Sequence, residues 1–419
     1  MASQPPPPRP SVSPSASAPV LPYVLALADD LSGAAETACA LGGPVRLSLT
    51  AADVAENAVA HDLVVDLDTR HLPAAEAAHA VRTALRTATQ AGPARLLYKK
   101  VDSQLRGHLA AEAAAYAEGA EAVVIAPALP AAGRTVTGGV VHVNGVPLHR
   151  TDGWRAERAA APRSLSEALS GLPVRTVPLD VVRSGPAALD AEFRRIADSG
   201  AHPAPDAETG ADLDAVAAAA LRLGPGFRLL GSGGLALALG RALMRPAAAT
   251  HRPAPAQDHA PLLFVVGTAE PAAVAQIAHL TALGAHHVPL DPADLATGTF
   301  RLPRTTVAPA LTVLSIDGSA GLHPGTGRAL SAALGALAAA YPGRPDLVLT
   351  GGETARTTLD ALGIRELEPL SEIHHGAVHS RTPDGRRVVT RPGSYGNEDS
   401  LLRIAAALRP RTAAARAAT

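Results

Sequence analysis

The sequence predicts an α/β protein of two α/β domains with mostly parallel sheets, the active site lying in the cleft between them. Three observations carry that expectation. Short apolar runs alternate with helix-length segments at the spacing of strand–helix–strand units. The chain is 47% hydrophobic but only 2% aromatic, so its cores rest on Leu, Val, Ile and Ala, as in parallel strands covered by helices. A Pro-rich stretch from Arg245 to Pro261 interrupts the alternation, which then starts afresh.

Val24–Ala28 reads as the first strand and ends in Asp29-Asp30, followed by a helix over Gly33–Leu41 that Gly42-Gly43 stops. Leu63–Leu67 is a second strand leading into Asp68-Thr69-Arg70. Pro73 opens a helix through Gln90. Arg95–Tyr98 is a third strand, Leu109–Glu118 a helix, and Ala122–Ala126 a fourth strand. Gly138–Leu148 reads as a hairpin turning at Asn144-Gly145. A strand at Val174–Val177, helices at Pro186–Asp198 and Asp212–Leu223, and a strand at Phe227–Leu230 lead to Gly231-Ser232-Gly233-Gly234 and a helix. After the Pro-rich stretch come the strand Leu262–Gly267, the helix Pro271–Leu283, the strand Leu311–Ile316 and the helix Gly327–Tyr341. The strand Asp346–Thr350, Gly351-Gly352 and the helix Thr354–Leu362 complete the pattern. The expected division is therefore a disordered tail 1–21, a first domain 22–245, a linker 246–261, a second domain 262–409 and a disordered tail 410–419.

A net charge of −1 gives no reason to expect nucleic acid or an anionic membrane as partner. No segment approaches the roughly 20 uninterrupted apolar residues of a membrane helix, and residues 1–20 lack the apolar core of a secretory signal. A cytoplasmic protein is expected, with room for a homo-oligomer. The single cysteine, Cys39, excludes an internal disulfide and reads as a small buried hydrophobe.

Lys99 and Lys100 are the only lysines, although Lys and Arg together number 37. They open the run Lys99-Lys100-Val101-Asp102-Ser103-Gln104-Leu105-Arg106-Gly107 at the end of an apolar strand. Lysine is a compact, flexible cation suited to an anion as a point charge. Four strand ends of the first domain carry polar groups: Asp29-Asp30, Asp68-Thr69-Arg70, the lysine run, and Pro127 to Thr135 with Arg134. Parallel strands would bring them to one edge, where arginines clamp a carboxylate and aspartates accept from sugar hydroxyls. The second domain offers glycine turns instead: Gly351-Gly352-Glu353-Thr354, Gly267-Thr268 and Gly393-Ser394-Tyr395-Gly396. Backbone N–H groups at such a turn before a helix suit a phosphate. The Walker phosphate loop and the dinucleotide fingerprint are both missing, which argues against a nicotinamide-dependent oxidoreductase. No metal-ligand spacing stands out, and the pairs His286-His287 and His374-His375 read as surface or loop residues.

In this order these segments resemble the four-carbon acid sugar kinase family. The matching stretches are Ala28–Ala34, Asp68–Arg70, Lys99–Gly107, Ala126–Pro130 with Gly133–Thr135, Gly231–Ala236, Gly267–Gln276, Thr350–Ala355 and Arg391–Gly396. The resemblance implies a sugar-acid-binding N-terminal domain, an ATP-binding C-terminal domain, and transfer of the γ-phosphoryl group to threonate, erythronate or a 3-oxo-tetronate with Mg²⁺. It places Asp29, Asp30, Arg70, Lys100, Asp102, Ser103 and Arg106 in the acid-sugar site. It places Thr268, Gly351, Gly352, Glu353, Thr354 and Gly393 in the nucleotide site. Gln104 stands where the family usually has threonine, Arg391 where it has lysine, and Glu270 adds a carboxylate to the first glycine turn.

The expected roles follow. Asp30 or Asp102 accepts the hydroxyl proton, and Lys99 or Lys100 neutralises the transferring group. Arg70 and Arg106 hold the substrate carboxylate, with Asp29, Asp68, Ser103 and Arg134 lining the sugar acid. Gly267, Thr268, Gly351, Gly352, Glu353, Thr354 and Gly393 hold the nucleotide. The alternative is a non-catalytic sugar-acid sensor that keeps the fold, which Gln104, Glu270 and Arg391 would favour.

Overall fold

The computed structural model describes residues 23–409 apart from 57–60, 91–95, 156, 158, 245–259, 269–270, 301, 303–308, 318–326 and 394. Both predicted tails, nearly all of the predicted linker, and Glu270 lie outside the described residues. The strands in chain order are β1 (Val24–Ala28), β2 (Val45–Ser48), β3 (Asp62–Asp66), β4 (Leu96–Lys100), β5 (Ala122–Ala126), β6 (Arg134–Thr137), β7 (Val140–Val143), β8 (Val146–Pro147), β9 (Val174–Val177), β10 (His202–Pro205), β11 (Phe227–Gly231), β12 (Leu262–Val266), β13 (His286–Leu290), β14 (Leu311–Ile316), β15 (Asp346–Thr350), β16 (Glu366–His374), β17 (Ala377–Arg381) and β18 (Arg387–Arg391).

Two parallel blocks form because their central strands are buried from end to end. β1, β3, β5, β12 and β15 expose none of their residues, as continuous apolar strands covered on both faces must. The first block has the order β2-β3-β1-β4-β11-β5, all parallel. The second has the order β13-β14-β12-β15-β18, also parallel. The antiparallel strands β17 and β16 extend the second block, and β16 pairs antiparallel with β2 through Glu366–Ser48 and Leu367–Leu47. The two sheets thereby become one sheet of thirteen strands.

Several elements depart from expectation. The β4 strand continues through Lys99 and Lys100, so the lysines lie in the strand rather than after it. The predicted hairpin is a three-stranded meander of β6, β7 and β8, because Gly138-Gly139 makes a first turn and Asn144-Gly145 a second, all four with positive φ. His286 and His287 lie in β13 with His286 exposed, and His374 ends β16 while His375 is exposed in the turn that follows, so the pairs are surface residues as expected but three of the four histidines lie in strands. Cys39 is half-buried, and burial, then Glu372 and Glu36, push its thiol up to about 12, in keeping with an inert side chain.

Arg356 ties the blocks together from the helix Gly352–Ala361. It donates to Asp66 Oδ2 at 2.9 Å and to the Leu49 carbonyl at 2.7 Å. Burial pushes the Asp66 carboxyl up to about 7 against the pull of Arg356. A carboxyl raised in the fold holds its proton better than the unfolded chain does. Its stability contribution is full below the unfolded value near 4 and falls as pH rises through the folded value. Replacing Arg356 with Met, which leaves Asp66 buried without its cation, should cost about 3 kcal/mol at pH 8. The loss should be smaller at pH 5, where Asp66 can take up a proton. Urea unfolding at both pH values reads this, and equal losses would mean that Arg356 acts through packing alone.

Candidate active site

The acid crevice forms where the first block reverses its winding. β1 pairs with β3 on one side and β4 on the other, so the chain passes from one flank of β1 to the opposite flank. Open α/β sheets place ligands at such a point, beyond the carboxyl ends of the strands. Asp29 and Asp30 follow β1, Arg70 follows β3, and Asp102, Ser103 and Arg106 follow β4. The loops after β3 and β4 contain non-glycine residues in the left-handed region, Asp68 at φ 48° and Leu105 at φ 62°. Leu105 is held there by burial and by its N–H bond to the Asp102 carbonyl at 2.9 Å.

The structure brings Asp29, Asp30, Arg70, Asp102 and Arg106 into one ionic cluster. Arg70 Nε donates to Asp29 Oδ2 at 2.8 Å, its Nη1 lies 3.0 Å from Asp30 Oδ2, and its Nη2 lies 3.9 Å from Asp102 Oδ1. Arg106 grips Asp102 with two side-chain bonds of 2.7 and 3.0 Å. Burial would raise the Asp102 carboxyl, but the Arg106 hydrogen bonds and the charges of Arg70, Arg106 and Lys100 hold it far below the usual carboxylate range. Asp29 is likewise lowered, its burial outweighed by Arg70, Lys99 and Lys100. Asp30 caps the helix Leu31–Leu41 by accepting the Gly33 N–H at 2.9 Å. Two buried polar atoms at this end of the crevice, Asp29 Oδ1 and Ser32 Oγ, have no protein partner among the described residues.

Strand alternation sends the two lysines to opposite faces of the sheet. Lys99 is fully buried and forms a 2.7 Å ion pair with Glu112, which also accepts the Thr69 hydroxyl at 2.8 Å. Lys100 turns toward the helix Leu31–Leu41, where its Nζ lies 3.6 Å from Glu36. A Cβ on Gly33 would come within 2.6 Å of that Nζ, so glycine there leaves room for the lysine. Burial works against the Lys100 charge, but Glu36, Asp29 and Asp30 raise its pKa above the ordinary value. Asp68 is drawn elsewhere, bonding Arg328 of the second block at 2.8 Å.

The glycine turns of the second block lie at the ends of the neighbouring strands β12, β15 and β18. Gly267 packs on Thr354, Gly393 packs on Thr268, and Gly351 needs its φ of 98° to start the helix Gly352–Ala361. Glu353 lies toward Arg328 at 3.8 Å, while Thr354 is buried against Ser331. Beside Thr268 lies a cavity of about 480 Å³ walled by Val274, Ile277, Ala278, Pro289 and Ile316. Val274 is 57% exposed, an apolar surface suited to a flat ring. Arg391, where the resemblance has lysine, is wholly buried. It bonds Ser400 Oγ, while its Nε and Nη2 lack partners among the described residues, and burial pulls it down to about 10.

The two halves meet at the glycine turn. A Cβ on Gly352 would lie 3.1 Å from Asp30 Oδ2 and 3.2 Å from Ser32 Oγ. The starts of two helices, each with unpaired N–H groups and the positive end of its dipole, therefore converge beside the Asp29–Asp30 pair. On the other flank Arg134 reaches Ser103 at 2.5 Å and Tyr395 at 2.7 Å. A cavity of about 450 Å³ opens there between Arg134, His374, His375, Tyr395 and Arg403, with no carboxylate in its lining, and so suits an anion.

Two family models match the chain in succession. Residues 24–239 match the family described as a sugar-binding N-terminal domain, and residues 263–401 match a nucleotide-binding C-terminal domain. The chain is 37% identical to the D-threonate kinase of Cupriavidus necator over 410 residues, covering 90% of this chain and 96% of that protein. The chain belongs to the four-carbon acid sugar kinase family. A 3-oxo-tetronate kinase of Methylobacterium radiotolerans is 28% identical over 412 residues, covering 89% of this chain and 96% of that protein. A solved structure from Salmonella typhimurium, described as a putative tRNA synthase, aligns with a TM-score of 0.72 at 22% identity over 91% of this chain and 98% of its own. At that identity the likeness is one of fold.

Among members of this kinase family the chain is thus a sugar-acid phosphotransferase with a nucleotide-binding domain. Among the described residues no helix is long and apolar enough to cross a membrane. Sequence reasoning did not single out Glu36, Ser32, Arg328 or Tyr395 as site residues. The signal for Glu36 was present, a lone carboxylate in the Ala-rich helix nearly two turns beyond Asp30; the others needed the second block in place. The two lysines should separate by phenotype. Lys99→Met, which strands a buried Glu112, should cost about 3–5 kcal/mol of stability. The double variant with Glu112→Leu should recover much of it, as urea unfolding of the double-mutant cycle would show. A mild loss in the single variant would mean that the pair is not a structural requirement.

Proposed function

We propose that this chain transfers the γ-phosphoryl group of ATP to a hydroxyl of a four-carbon sugar acid of the threonate, erythronate or 3-oxo-tetronate type. The observation that supports it best is the contact of Gly352 with Asp30 and Ser32. It sets the phosphate-binding helix start of one block against the carboxylates of the acid crevice in the other. Phosphoryl transfer requires positioning and charge neutralisation more than covalent chemistry.

In this reading Lys100, on the crevice face and kept charged by Glu36, Asp29 and Asp30, neutralises the transferring group. Asp30 accepts the hydroxyl proton. Asp102 suits that task less well, because Arg106 holds it as a carboxylate of very low proton affinity. Asp102 instead keeps Arg106 and Arg70 in place. Arg134, with Nε unpartnered among the described residues, joins Arg70 and Arg106 in holding the substrate carboxylate, and Ser103 and Asp29 take sugar hydroxyls. Gly267, Thr268, Gly351, Gly352 and Gly393 cradle the phosphates, with the base in the cavity beside Val274. Lys99 and Asp68 serve structure through Glu112 and Arg328.

Mg²⁺ fits this donor set. Among the described residues no group of three or more His, Cys, Asp or Glu side chains gathers to hold a metal. Mg²⁺ commonly needs only one or two carboxylates beside phosphates and water. Asp29, whose Oδ1 has no partner among the described residues, would hold it, and the ion would supply neutralising charge to the phosphate oxygens.

Release of ADP from Mg²⁺–ATP should be seen with one member of a panel of D- and L-threonate, D- and L-erythronate and their 3-oxo forms. Acid binding without turnover across the panel would support the sensor instead. Lys100→Ala should reduce kcat by at least about a thousandfold with the fold intact by circular dichroism, the order of one preorganised electrostatic donor. Retained kcat would remove Lys100 from the chemistry.

A further inference from the structure

We infer that Tyr395 is a positioning residue, whose hydroxyl couples the nucleotide turn of the second block to the sugar-acid crevice of the first. This rests on the kinase reading above. Tyr395 lies in the turn after β18, two residues beyond Gly393, which packs on Thr268. Its hydroxyl accepts from Arg134 Nη1 at 2.7 Å, and the same nitrogen donates to Ser103 Oγ at 2.5 Å. The two hydrogens of Nη1 are thereby used, one toward each block. The guanidinium plane is then set, with Nε and Nη2 left to meet a carboxylate.

The ring itself is held on two sides. It stacks on His375 with centroids 5.4 Å apart and planes 27° apart. A Cβ on Gly376 would lie 2.5 Å from its Cδ2, so glycine at φ 77° admits the ring. The Arg134 guanidinium carbon lies 5.4 Å from the ring centroid, adding a cation–π contact. Burial raises the phenol pKa, which keeps the hydroxyl protonated at neutral pH, and Arg134, Lys100 and Glu36 are the charges that face it. Phosphates that order the Gly393 turn would order Tyr395 and, through it, Arg134 and Ser103. The acid then binds a crevice already arranged, and by reciprocity acid binding favours the nucleotide by the same factor.

The test is calorimetric titration of the wild type and of Tyr395→Phe with D-threonate, with and without saturating ADP. ADP should tighten D-threonate at least about fivefold in the wild type. In the variant that ratio should fall to near one, while affinity for ADP alone stays within about twofold. A variant ratio equal to that of the wild type, or no coupling in the wild type, overturns the inference. A staple that only holds the blocks together would shift thermal stability and leave the ratio unchanged. Hydrogen exchange without ligand gives a second readout. Tyr395→Phe should speed exchange in residues 130–137 and 395–400 together, and unchanged exchange there counts against the coupling. If the wild type binds neither ligand, the kinase reading fails, and the exchange result alone decides whether the two segments are coupled.

Discussion

The pairing of β16 with β2 is short, two residue pairs and one further bond from Leu49 N–H to the Arg365 carbonyl at 2.8 Å. Backbone pairing of this kind fixes neighbouring strands at about 4.8 Å and in one register. It therefore converts two sheets that could drift into one frame. Arg356 can then reach Asp66 and Leu49, Arg328 can reach Asp68, and Gly352 settles against Asp30 and Ser32. Each of these contacts joins the two blocks, and each needs the frame to within a fraction of an ångström.

Within that frame the site is a set of charges that neutralise one another before any substrate arrives. Arg70 alone contacts three aspartates, and Arg106 grips one of them twice. Isolated buried charges would be costly; as a cluster they hold each other ionised and oriented. Such an arrangement is preorganised, its charges oriented before any ligand arrives. The Lys99–Glu112 pair on the far face of the same strand has the same chemistry but no access to the crevice. Only the strand's alternation separates the surroundings of the two lysines. Arg391 is the contrasting case: a wholly buried cation with a hydroxyl for company and, among the described residues, no carboxylate partner.

Strands β1, β3, β4, β5 and β11 of the first block and β12, β14 and β15 of the second were legible in the sequence, because continuous apolar runs and capped helices are local signals, whereas the edge-side strands β2 and β13 were not read. The strand ends carrying Asp29, Asp30, Arg70, Asp102 and Arg106 were legible for the same reason, and the structure gathers them. The strands β16, β17 and β18 were not read, since β16 is half-exposed with no clean alternation and the short strands β17 and β18 mix apolar residues with His, Ser, Thr and Arg. The Asp384-Gly385 turn between β17 and β18 was the available signal for that hairpin. Lys99 and Asp68, grouped by sequence with the substrate-facing residues, are engaged by Glu112 and Arg328, partners that lie 13 and 260 positions away.

By itself the sequence determined the α/β alternation, the kinase-family motifs and the residue types of the crevice. Periodicity, caps and glycine turns depend only on neighbours in the chain. The tertiary structure alone decided which lysine faces the crevice, that Arg106 holds Asp102 as a carboxylate, and that Tyr395 meets Arg134. Those outcomes turn on burial and on distances between groups far apart in sequence, which no local pattern encodes.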